Sequence, residues 1–176
     1  MGTVEIIIII AALLGIAGVG TYLLIRHFKK KKEEEEKYDF TTKYGIRVML
    51  SPQTKGISVD VFDMWSDSVV DFWHEKKGWS KEKCYKRLAK TEIEIYDKEY
   101  LERAGWKVNG IMWPSSFLIE MASFPKGTEQ ASVKRIASLF RHEVSHIIAG
   151  YVGNLEAGPN GGEYHHKLFA EVGLGA

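Results

Sequence analysis

The sequence predicts an α+β domain with one transmembrane helix in front of it. Three observations carry that prediction. A nearly uninterrupted apolar run occupies residues 4–25. Beyond it, apolar residues switch several times between the 3.6-residue period of helices and the two-residue period of strands. Late in the chain, a segment of helical period carries His142, Glu143 and His146 in the order HEVSH.

The bulk numbers set the limits. The chain has 176 residues, 45% hydrophobic and 27% charged, with a formal charge of +1. That composition excludes a disordered chain and gives no indication of a nucleic-acid partner. The lone Cys84 excludes an internal disulfide and a Cys-rich zinc site, and agrees with a reducing compartment.

Within residues 4–25 the single charge is Glu5, at the very start. As a helix, the run is long enough to cross about 30 Å of hydrocarbon. A cleaved signal peptide is the rival reading, but it requires positive charge before a shorter apolar region. Here the order is reversed, with Arg26 and the lysines at 29–32 following the run. The same basic cluster predicts a single-pass protein with its N-terminus outside and its domain in the cytoplasm. Ala11, Gly15, Gly18 and Gly20 are small residues of the kind common in membrane helices, where they also permit helix pairing. Residues 26–37, which include KKKKEEEEK, read as a charged linker whose lysines can touch anionic lipid. Residues 38–176 remain for one domain with its own core.

In that domain, IRVML at 46–50 reads as a first strand ended by Ser51 and Pro52, with a turn at Thr54, Lys55 and Gly56. From Ser58 the period changes. Phe62, Trp65, Val69, Phe72 and Trp73 share one helical face, and Asp60, Asp63, Asp67 and Asp71 another. This helix runs to Lys77 with Gly78 as its stop, and its acidic row reads as a solvated face. Ser80 can cap a second helix through Tyr85 and Leu88. Residues 91–96 alternate as a strand with one apolar face, and 97–104 are ambiguous, admitting a helical turn, with Gly105 as the end. Residues 110–114 lead into a strand at 117–122, bounded by Pro114 and Pro125, which suits a sheet edge.

The HEVSH helix starts at Thr128 or Gln130, and Gly150 and Gly153 mark its end. Val133, Ile136, Ala137, Phe140, Val144, Ile147, Ile148 and Tyr151 form its apolar stripe, with the two histidines nearly opposite. The expectation is a helix that packs one side on a core and turns the other to a cleft. Residues four apart on a helix stand one above the other, so His142 and His146 can place two imidazole nitrogens on one metal ion. In such an HExxH arrangement zinc keeps a water at an open position, and Glu143 takes a proton from it. The turn-rich segment 153–162 then reverses the chain, and a second His-bearing segment, with Glu163, Tyr164, His165 and His166, can bring a third ligand over the first two.

HEVSH followed by HHKLF resembles a minimal zincin metallopeptidase, and is most similar to SprT-like domains. In those domains HExxH is followed by a histidine, with a phenylalanine four residues beyond it, the spacing of His165 and Phe169 here. The resemblance covers residues 117–173, and HExxH is its specific part. His166 stands where a glycine is usual, no Cys-rich zinc ribbon follows, and the membrane anchor is foreign to that family. The resemblance therefore implies a small zincin-like fold and not a DNA-repair context. It implies that His142, His146 and His165 hold Zn2+, with His166 and Glu163 as the alternatives to His165. Peptide deformylase also carries HExxH, but with an upstream cysteine ligand. Cys84 lies upstream within KEKCYKRL, with no Gly-rich strand around it.

The implied function is a membrane-anchored zinc metallopeptidase, hydrolysing peptide bonds of a peptide or protein substrate through a water activated by Glu143. Tyr164 and Tyr151 are candidates to steady the oxyanion or simply to pack. The alternative is a non-catalytic, zinc-stabilised binding or structural module tethered to the membrane.

Overall fold

The structure, a computed structural model, describes residues 25–29 and 37–149. The chain divides into two compact units, Met1–Lys37 and Tyr38–Ala176. In the first, residues 25–29 are helical and exposed. Among the described residues no helix is long and apolar enough to cross a membrane. The predicted span at 4–25, apart from Ile25, lies outside them, as does most of the linker.

The second unit is α+β. Its strands are β1 (Phe40–Thr41), β2 (Arg47–Met49), β3 (Glu92–Tyr96), β4 (Leu101–Arg103), β5 (Trp106–Val108), β6 (Gly110–Trp113) and β7 (Leu118–Ala122). Its helices are α1 (Val59–Lys77), α2 (Lys81–Leu88) and α3 (Val133–Ala149). Five strands form a mixed sheet in the order β1-β2-β3-β7-β6, while β4 and β5 form a separate hairpin. β2, β3 and β7 run parallel, and the outer strands β1 and β6 run antiparallel to their neighbours.

Each helix ends where its sequence allows. Gly78 takes a left-handed conformation (φ 66°) and donates its N–H to the His74 carbonyl, closing α1 as a C-terminal glycine does. The Ser80 side chain accepts from the Lys83 N–H and starts α2. α3 begins later than predicted. Ser132 Oγ accepts from the Arg135 N–H at 3.3 Å, whereas Thr128 Oγ1 is turned back to the Pro125 carbonyl at 3.0 Å.

The helices cover one face of the sheet. Val48, Ile93, Ile95, Ile119 and Met121 point into a core shared with Phe62, Trp65, Val69 and Trp73 of α1 and Phe140, Val144 and Ile148 of α3. Phe62 meets Phe140 edge to face at 5.6 Å between ring centroids. Both are fully buried, so replacing Phe140 by alanine costs roughly 3–5 kcal/mol, the usual loss for a core aromatic. The acidic row of α1 is used more than predicted: Asp67 accepts from Tyr44, from Tyr85 at 2.7 Å and from Lys43 at 3.2 Å, and Asp71 pairs with Lys81.

Two sequence expectations are corrected. Residues 97–104 contain no helical turn; they enter the β4–β5 hairpin, whose turn residues Ala104 (φ 50°) and Gly105 (φ 82°) both have the positive φ that matches strand twist. The strand at 117–122 is not the edge, because β7 lies between β3 and β6. Pro114 and Pro125 fall outside β7, so neither removes a donor from its ladder. The edge beside α3 is β6.

The opposite face of the sheet is polar yet covered. Glu94 and Glu120 are neighbours in register on β3 and β7 and are 7% and 6% exposed. Arg103, reaching across from β4, makes a two-pronged pair with Glu120, and Trp113 Nε1 donates to the same carboxylate at 2.7 Å. Tyr96 donates to Glu94 at 2.5 Å. Buried acids survive there because each is hydrogen-bonded.

Candidate metal centre

α3 carries the motif and is anchored along its length. At its start, Arg135 donates to the Ala122 carbonyl (3.1 Å), the Glu99 carbonyl (3.0 Å) and Asn109 Oδ1 (2.9 Å). In its middle, Trp73 Nε1 of α1 donates to Ser145 Oγ at 2.9 Å. Near its end, Arg87 of α2 donates to the Ile148 carbonyl. A cation at that terminus also opposes the partial negative charge of the helix end.

On this fixed rod His142 and His146 meet as helical spacing requires. Their Nε2 atoms are 3.3 Å apart and their ring planes cross at 74°. Two nitrogens, each about 2.0–2.1 Å from a tetrahedral zinc, stand about 3.3–3.4 Å from one another, which is the separation of this pair. The same separation also meets hydrogen-bond geometry between the rings.

Glu143 is 5% exposed, and among the described residues nothing donates a hydrogen bond or an ion pair to it. Burial pushes its carboxyl up to about 8. The donor chemistry and the separation of the two histidines therefore fit a zinc site.

The motif side of α3, expected to turn toward a cleft, is largely enclosed. His142 is 7% exposed, and α3 buries residues on every side from Leu139 to Ile148. One side meets the core and another meets β6, where a Cβ placed on Gly110 would stand 2.8 Å from Glu143 Oε1.

Among the described residues no third His, Cys, Asp or Glu joins the pair. His165, His166, Glu163, Tyr164, Tyr151, Phe169 and the Gly-rich reversal all lie outside the described residues. Cys84 is buried and far from a ligand's role here: it sits in the core cluster, and burial raises its thiol. Sequence reasoning missed Gly110, Arg135 and Ser145 as parts of the site. Ser145 had one available signal, a polar residue on the buried side of an apolar helix, which asks for a partner.

Compared with protein-family models, with curated proteins and with solved structures, the chain matches none.

Proposed function

We propose that this protein is a membrane-anchored, zincin-like zinc metallopeptidase. The observation that supports it best is the arrangement of His142 and His146, 3.3 Å apart at Nε2, with the buried carboxylate of Glu143 between them in sequence. His142 and His146 would hold Zn2+, and the third ligand would come from the segment outside the described residues, His165 ahead of His166 and Glu163. Bound there, zinc supplies a Lewis acid that polarises a carbonyl and lowers the pKa of water.

The chain's own residues do the rest. Glu143 accepts a proton from the attacking water and passes it to the leaving amine. β6 packs against α3 and, among the described residues, stands at the sheet edge, where an extended peptide could pair with it.

The near-complete enclosure of His142 and Glu143 favours a second reading, a metal that only stabilises the fold. One experiment separates them: zinc content and cleavage of an unfolded polypeptide by the detergent-solubilised full chain, with and without chelator. Zinc-dependent cleavage supports the peptidase. Bound zinc that raises the melting temperature, with no cleavage, supports the structural metal.

A further inference from the structure

Resting on the peptidase reading, we infer that Gly110 is a positioning residue: the side chain it lacks is the space that sets where the Glu143 carboxylate lies. Gly110 opens β6 and pairs with Met121 of β7. Its φ is not among the positive ones, so the backbone does not require glycine there. Glycine weakens a strand, and inside one it commonly marks the close approach of another group.

The approaching group is a single residue. A Cβ on Gly110 would have as its three nearest neighbours Oε1, Cδ and Cγ of Glu143, at 2.8, 3.3 and 3.3 Å. The strand cannot drift away from α3 to make room. Asn109, the residue before Gly110, accepts from Arg135 of α3 at 2.9 Å, and its carbonyl accepts from the Ala122 N–H at 2.8 Å. With strand and helix tied together one residue away, an added methyl displaces the end of the Glu143 side chain and leaves both elements in place. The histidines project from other positions of the helix and keep their ligand geometry.

The test uses zinc-loaded full-length protein carrying Gly110→Ala, Glu143→Ala or both. Gly110→Ala is expected to keep zinc and KM while kcat falls roughly 10- to 100-fold, the scale of a misplacement near 1 Å. A second readout needs no activity. In metal-free protein Gly110→Ala lowers the melting temperature in the wild-type background and not in Glu143→Ala, which lacks all three atoms the methyl would meet. Equal lowering in both backgrounds, or an unchanged kcat, overturns the inference. An inert zinc-bound wild type that still shows the coupled melting temperatures sinks the peptidase reading and leaves the Gly110–Glu143 contact standing.

Discussion

Trp73 and Ser145, 72 residues apart in the chain, form a buried hydrogen bond of 2.9 Å that ties α1 to the centre of the HEVSH motif. Ser145 is the residue before His146, and both partners are fully buried. Ser145→Ala takes a hydrogen-bond acceptor from the indole and is expected to cost about 1–3 kcal/mol of stability. Urea unfolding of Ser145→Ala, Trp73→Phe and the double variant measures it. Strict additivity of the two losses would show that the bond contributes nothing of its own.

Glu143→Gln keeps side-chain size and leaves every metal ligand untouched. Zinc content should survive while cleavage of an unfolded polypeptide falls about 10²–10⁴-fold, because an amide cannot take the proton of the attacking water. Equal cleavage by both proteins would assign the chemistry to another group.

The third ligand is decided by zinc affinity. His165→Ala is expected to lose zinc and His166→Ala to keep it, on the spacing of His165 to Phe169. The reverse result reassigns the ligand. In the wild type, affinity should fall as pH drops below about 6.5, where imidazoles take up protons in competition with the metal.

Glu120 carries an acid-sensitive part of the stability. The Arg103 guanidinium holds its carboxyl below the ordinary value of 4.5, against the opposite pull of burial. A carboxyl depressed in the folded state contributes stability that is complete above 4.5 and is lost as pH falls through the lowered value. Glu120→Gln should be less stable at neutral pH and lose less on acidification from pH 4.5 downward. A pH series of denaturant midpoints that runs parallel to wild type would rule this out.

For the proposed membrane anchor, Arg26 and the lysines at 29–32 flank the apolar run on its C-terminal side only, so the domain is expected on the cytoplasmic side. Protease added to the cytoplasmic face of inverted vesicles should digest the domain. Protection of the domain there would reverse the topology.

Much of this fold was legible because its signals are local. The apolar face of 59–77, the stop at Gly78, the cap at Ser80 and the alternation of 91–96 each depend on neighbours along the chain. The meeting of His142 and His146 is legible for the same reason, since helical pitch alone brings residues four apart together. What tertiary structure decided is what depends on distant partners. Prolines at 114 and 125 suggested an edge at 117–122, but edge or interior is settled by which strand comes to lie alongside, and β6 does. The burial of Glu120 on β7 depends on Arg103 of β4 and Trp113 of β6 converging on it. The placement of Glu143 depends on a strand without a side chain at Gly110, held to α3 through Asn109 and Arg135. Periodicity states which face of an element is apolar, and packing alone states what that face meets.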